Sequence, residues 1–520
     1  MNRDDMLARA VDRREAWDMV IVGGGATGMG IALDAAARGY STLLLEQHDF
    51  GKGTSSRSTK LVHGGVRYLE QGNVPLVLEA LRERGIMRQN APHLVRDLAF
   101  VVPTYEWWES PFYGIGLKIY NVLAGRYGFG PSRILSREET LARLPTIRTD
   151  GLRGGVIYYD GQFDDARFLV HLATTAAEQG AALLNYAPVV RLSRDIGGFI
   201  DGVVVRDLES GGEFEVKARV VINAAGPFVD DVRRMSAAGA RPLVALSQGI
   251  HLVFDRAFLP GDSAIMVPHT RDGRVMFAIP WQGHTLVGTT DTPIPAAALE
   301  PRALEEEIAF VLDTAAAYLH RPPTRADVRS VFAGIRPLVA TEGATHTAAL
   351  SRSHTIQIDG AGLVTITGGK WTTYRAMAED CVNQAALVAL LPERPCVTRD
   401  LRLHGFHAQA DVFGDLAAYG SDAPAILDLV RGDPSLGRRL HPGFPYLAAE
   451  VVWAARHEMA RTVEDVLARR LRALFLDARA AVAMAPEVAA LMARELGRDD
   501  AWQAAQVAAF AEVAAAFLLG

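Results

Sequence analysis

The apolar positions come in short solid runs early in the chain, in alternating runs in its middle, and at helical spacing towards its end. Met19–Val22 is a solid run closed by glycines, which predicts a strand buried on both faces. The alanine-rich stretch that follows, to Arg38, predicts a helix with Gly39 at its C-terminal cap. "STLLLE" predicts a second strand ending at Glu46. Two later runs, Val220–Asn223 and Leu363–Ile366, read as further buried strands. "VMFAIPW" alternates, as a half-exposed sheet would, and "HTLVGTTD" reads as a strand ending in Thr289, Thr290 and Asp291. From about residue 395 the pattern turns helical and alanine-rich. There, "EDVLARRLRALFLDARAAVAM" places Val466, Leu467, Leu471, Leu474 and Phe475 between arginines, an amphipathic helix for a bundle core or for anionic lipid.

The first strand–helix–strand unit carries chemistry. Gly23, Gly25 and Gly28 form G-x-G-x-x-G between strand and helix. The first glycine permits the tight turn, the second lets backbone approach a pyrophosphate, and the third lets helix and strand pack closely. The helix N-terminus faces the phosphates, and Glu46 accepts from a ribose. This predicts a dinucleotide site. A phosphate-loop NTPase is excluded, because "GGKW" and "GKGT" lack the remaining residues of that loop.

"GTSSRSTKLVHGGVRYLEQ" follows directly. Thr54, Ser55, Ser56, Ser58 and Thr59 offer hydroxyls for phosphate or flavin atoms, and Lys60 offers a point charge. Two distant stretches match this demand: "INAAGPFVDD" turns at Gly226, and "TGGKWTTYR" starts a helix beside Gly369 and Lys370. A helix start aimed at a flavin's pyrimidine edge stabilises negative charge there.

Bulk properties narrow the setting. A chain of 520 residues suggests two or three domains. A net charge of −6 argues against nucleic acid as a partner. Two cysteines, Cys381 and Cys396, make no disulfide framework and fit a reducing compartment. The first 17 residues read as neither secretory signal nor transit peptide, and no apolar run is long enough to cross a membrane. Lysine is scarce: Lys52, Lys60, Lys118, Lys217 and Lys370 are the five among 54 basic residues.

Taken together, "VIVGGGATG", "GTSSRSTKLVHGGVRYL", "YYDGQFDDARFLVHLA", "INAAGPFVD", "GTTDTP", "AGIRPL" and "TGGKWTTYR" resemble the respiratory, FAD-dependent glycerol-3-phosphate dehydrogenases. The likeness runs from about 17 to 480, and "YYDGQFDDAR" is closest to the mitochondrial-type branch. It implies a two-domain α/β oxidoreductase with a Rossmann-like FAD domain, an antiparallel-sheet substrate domain and a C-terminal α-helical domain. The expected bounds are 17–95, 150–240 and 330–385 for FAD, 241–329 for substrate with a 96–149 helical and aromatic insertion, and 395–520 for the helical domain. It also implies FAD as cofactor, oxidation of sn-glycerol 3-phosphate to dihydroxyacetone phosphate by hydride transfer to flavin N5, and electrons passed to a membrane quinone. It implies no metal. The calcium-binding loops of the animal enzymes are absent, which fits a bacterial enzyme.

The resemblance places Arg67, Tyr68, Arg336 and Lys370 at the substrate, with His251, Arg336 and Lys370 as the catalytic set. His251 is the expected proton acceptor. The cofactor set is Gly23, Gly25, Gly28, Glu46, Thr54, Ser55, Ser58, Lys60, His63, Val189, Gly226, Gly369 and Thr372. Asp160, Asp164 and Asp165 read as helix-capping and surface residues. "EWWESPFYGIGLKIYNVLAGRYGFG" is the expected contact with an anionic lipid surface, with the protein held peripherally on the inner face of the cytoplasmic membrane. A homodimer is left open. The competing functions are a glycerol-3-phosphate oxidase using O₂, a dehydrogenase of a related polyol phosphate such as a tetritol phosphate, and a redox-inert flavin-binding protein.

Overall fold

Two sheets and a C-terminal helical unit make up the fold. A computed structural model describes residues 1–66, 73–268, 270, 273–340 and 354–519. The first sheet has eight strands. Strand Trp17–Val22 lies at its centre, parallel to Thr42–Leu45 on one side and to Glu213–Asn223 on the other. Ala182–Leu184 and Val364–Gly368 extend it, also in parallel. The solid apolar runs explain this placement: Met19, Val20, Ile21, Leu43 and Leu44 are fully buried, as in a sheet covered on both faces. Helix Ala26–Ala37 covers one face and is buried almost all round, because helix Tyr374–Val388 packs on its outer side. A Cβ at Gly30 would stand 2.8 Å from the Tyr374 ring, so glycine admits that close crossing.

The second sheet has ten strands and is antiparallel except where Ser263–Val267 runs parallel to Val95–Thr104. Its longest ladder pairs Val244–Asp255 with Val328–Val339. The expected domain bounds shift here. Strands Gly154–Phe163 and Val328–Val339 belong to this second sheet, not to the FAD domain, and Val95–Thr104 is one of its strands, not part of a helical insertion. The run "GGVIYYDGQF" is apolar enough to pass for either sheet, and long-range pairing decides it.

The C-terminal unit is helical, as its periodicity predicts, but the arginines at 469, 470 and 472 do not face solvent. A π-helix, Asp465–Arg470, is followed by the short helix Ala473–Leu476, and Arg469, Arg470 and Arg472 are all buried. The lipid-facing alternative for this segment is therefore excluded. Such burial requires full ionic pairing, because an unpaired interior charge costs several kcal/mol, of order 3–5. The described helices include none long and apolar enough to cross a membrane.

Candidate active site

A cleft of about 1400 Å³, including its open mouth, runs over the C-terminal ends of the parallel strands. This is where open α/β sheets bind their ligands. Gly23 sits at φ +110°, and a Cβ on it would stand 2.6 Å from the Ala224 carbonyl oxygen. A Cβ on Gly28 would stand 1.9 Å from the Gly23 carbonyl oxygen, so helix and turn touch backbone to backbone. Gly25 is the N-cap of the first helix and has no side chain to cap it. Ser55 Oγ does that work from across the cleft, accepting the Ala26 amide at 2.9 Å.

Glu46 lines the same cleft. Its two oxygens accept the amides of Gly24 at 2.7 Å and His48 at 2.9 Å. Burial raises its pKa despite those bonds. Each oxygen keeps a lone pair for a ribose hydroxyl. Thr54, Val189, Gly226, Gly369 and Lys370 also line the cleft. Gly226 takes φ +57° with open space where a side chain would stand, so backbone approaches a ligand there. The glycine turn, the ribose acceptor and the second helix start at Trp371 together fit FAD.

Trp371, which sequence reasoning left without a role, ties the site together. Its indole N–H donates to the Ser55 carbonyl at 2.8 Å, and its ring packs edge-on against Phe163, Phe168 and Tyr374. Its position inside "GGKWTTY" was the available signal.

The serine- and threonine-rich segment has two ends with different tasks. Its start faces the cleft; its remainder lies along the second sheet. Thr54 Oγ1 donates to the Ile335 carbonyl at 2.6 Å, and Thr59 Oγ1 is 2.9 Å from His251 Nε2. Ser58 and Lys60 are corrected as cofactor ligands. The amide and hydroxyl of Ser58 both donate to Asp165, at 3.0 and 2.7 Å. Lys60 Nζ, fully buried, is 2.7 Å from the same carboxylate. Burial pulls Lys60 down to about 7, against the attraction of Asp165. Asp165 itself is held low: burial would raise it, but Lys60 and Arg472 outweigh that. The aspartates are corrected likewise. Asp164 does cap its helix, but Asp160 and Asp165 are buried ion-pair partners of Arg84 and of Lys60 and Arg472.

His63 and Thr372 meet each other instead of lining the cleft: the His63 amide donates to Thr372 Oγ1 at 3.3 Å. Arg67 and Tyr68 lie outside the described residues.

At the sheet end of the segment, Arg336 donates to the Thr290 carbonyl and to Thr289 Oγ1, both at 3.1 Å. Asp291 stands 3.5 Å from its Nη1. The Arg336 side chain as a whole is 30 % exposed. Thr290 and Asp291 face inward to Glu307 and Ser247, so they support this corner and are absent from the cleft lining. His251 is nearly fully buried, stacked on Phe332 at 4.9 Å between ring centroids. Burial, then the charges of Lys60 and Arg336, push its pKa well below the usual histidine value, so it is neutral.

Comparison with known proteins decides the family. Residues 18–375 match the FAD dependent oxidoreductase family. A probable mitochondrial glycerol-3-phosphate dehydrogenase of Caenorhabditis elegans is 41% identical, over 97% of this chain and 74% of that one. The chain belongs to the FAD-dependent glycerol-3-phosphate dehydrogenases. The mitochondrial glycerol-3-phosphate dehydrogenase of Arabidopsis thaliana is 42% identical over 92% of this chain and 82% of its own length. The crystal structure of the glycerol-3-phosphate dehydrogenase from Bacillus halodurans complexed with FAD superposes with a TM-score of 0.81, at 30% identity, covering 99% of this chain and 97% of that one. Residues 351–503 match the C-terminal domain of alpha-glycerophosphate oxidase, which accounts for the helical unit. FAD is the cofactor, and the glycine turn and Glu46 have the chemistry to hold it.

Proposed function

We propose that this chain oxidises sn-glycerol 3-phosphate to dihydroxyacetone phosphate and passes the electrons to a membrane quinone. The observation that supports the substrate is the half-buried Arg336 side chain, held by Thr289, Thr290 and Asp291 and adjoining Pro337 of the cofactor cleft. A planar guanidinium fork suits a phosphate or a reacting oxygen that is gaining negative charge. Bound FAD supplies the hydride acceptor, its N5. The protein supplies the rest. Lys370 brings positive charge to the cleft wall. Arg67 and Tyr68 are proposed to join the substrate clamp. His251, neutral and hydrogen-bonded to Thr59, is the proposed acceptor of the alcohol proton at its ring nitrogen.

Helix Glu109–Ala124 supports a lipid-side acceptor. Its inner stripe of Leu117, Tyr120 and Ala124 is buried, while Trp108, Phe112, Ile115, Ile119 and Val122 form an exposed outer stripe. Trp107 is also exposed, and Lys118 shares the outer surface. Aromatic and aliphatic side chains with a flanking lysine suit the headgroup boundary of a membrane.

The test is reaction of Arg336→Ala and His251→Asn with substrate under anaerobic conditions. Both should keep FAD, Arg336→Ala should lose flavin reduction, and His251→Asn should slow it by two orders of magnitude, in the range of general-base loss, about 10²–10⁴. Wild-type rates in either variant remove that residue from the site. Rapid peroxide release in air, with no turnover on a soluble quinone, replaces the quinone by O₂.

A further inference from the structure

The 46–56 loop, which carries Glu46 and Ser55, forms one wall of the cofactor cleft. Asp49, Lys52 and Ser56 are anchored in the C-terminal helical unit, while Tyr186, Ala187, Ile335 and Trp371 hold other points of the loop. Arg470 grips Asp49 with two N–H groups, at 2.7 and 2.9 Å, and Arg469 donates to the same carboxylate. Lys52 Nζ, itself on the cleft wall, is 2.7 Å from Glu464. Arg472 donates to the Ser56 carbonyl at 2.8 Å. Glu464 and Asp465 in turn hold Arg469, at 2.8 and 2.7 Å, and Tyr186 donates to Asp465 at 2.7 Å. The loop reaches the glycine turn directly, since the Gly51 amide donates to the Gly24 carbonyl at 3.0 Å.

The π-helical turn makes the grip geometrically possible. The Leu471 amide bonds to Val466 five residues back, and the widened turn sends the consecutive Arg469 and Arg470 to one carboxylate. Asp49, Arg469 and Arg470 are all buried, so these bonds are unscreened by water.

We propose that the C-terminal helical unit is a cofactor-retention clamp, in which residues 464–472 hold the 46–56 loop over the cleft so that FAD leaves only when this interface opens. Glu464, Asp465, Arg469 and Arg470 are positioning residues: they act on FAD through Asp49, Lys52 and the loop. The inference needs FAD in the cleft and is independent of the substrate and acceptor.

The test measures the rate of FAD release from diluted holoprotein, by recovery of free-flavin fluorescence. Glu464→Gln removes the nearer of the two carboxylate partners of Lys52, leaving Glu300 at 3.5 Å, and the charge on one side of Arg469, and should speed release ten-fold or more. Glu464→Asp should fall between the two. Tyr186→Phe removes the hydroxyl that bonds Asp465 and lies 3.3 Å from Thr462 Oγ1, and serves where the first variant fails to fold; it should speed release two- to five-fold. Arg456→Gln is the control, because its pair with Glu495 lies within the C-terminal unit and away from the loop. It should release FAD at the wild-type rate. Saturating FAD should restore the wild-type turnover of Glu464→Gln. Wild-type release from Tyr186→Phe, or release from Arg456→Gln as fast as from Glu464→Gln, overturns the clamp.

Discussion

The indole N–H of Trp371 donates to the main-chain carbonyl of Ser55 across 316 residues of sequence, at 2.8 Å. The hydroxyl of that same serine accepts the Ala26 amide at the first helix start. One residue therefore fixes the geometry of two helix N-termini around the cleft.

Ser55→Ala leaves the Ala26 amide without its partner. A lost bond to a helix-start amide costs about 1–2 kcal/mol. FAD affinity should fall roughly ten-fold, by the same conversion of energy to equilibrium constant, as measured by reconstitution of apoprotein with FAD.

Gly28→Ala is harsher, because the added Cβ meets backbone at 1.9 Å. The neighbouring atoms are the Gly23 carbonyl and Ala224, neither of which is a flexible side-chain end. Overpacking of this kind costs about 1–3 kcal/mol or more. The melting temperature should drop by several degrees and bound FAD should be lost together with it.

His404 gives a pH signature. Its two ring nitrogens stand 2.7 Å from Glu178 and 2.7 Å from Asp422. Burial lowers its pKa, but the bonds to Asp422 and Glu178 outweigh it and carry it up to about 9. The folded value is above the unfolded one, about 6.5. The stabilisation is therefore full below pH ~6.5 and is lost as pH rises through about 9. The gap in melting temperature between wild type and His404→Asn should be widest near pH 6, still open at pH 8, and nearly closed above pH ~9.5.

The glycine turn was legible from sequence because its geometry is local: Gly23, Gly25, Gly28 and Glu46 belong to one strand–helix–strand unit. Ser58 and Lys60 misled for the opposite reason. Their partner Asp165 lies more than a hundred residues away, and Arg472, which shares it, lies farther still. A polar cluster reads the same whether it faces a ligand or a buried counter-ion. The arginines at 469–472 misled likewise, since helical spacing says nothing about which acids the tertiary fold supplies. Helix Glu109–Ala124 was legible as amphipathic and aromatic, but only the fold shows which of its two apolar stripes is inside.

Replacing Trp107, Trp108, Ile115 and Val122 together with serine removes the exposed part of that outer stripe. Co-sedimentation with vesicles containing anionic lipid should fall about ten-fold or more, as loss of interfacial aromatic and aliphatic surface predicts. Flavin reduction by substrate should be unchanged, because none of the four lines the cleft. Unaltered vesicle binding would assign membrane contact elsewhere.

The central claim is that FAD lies beside a cationic pocket shaped for a small phosphorylated alcohol. Anaerobic titration of the holoprotein tests it most directly, following the visible flavin absorption band. The account predicts stoichiometric bleaching by sn-glycerol 3-phosphate and none by glycerol at equal concentration. Equal bleaching by both, or none by any three- or four-carbon polyol phosphate, would contradict it.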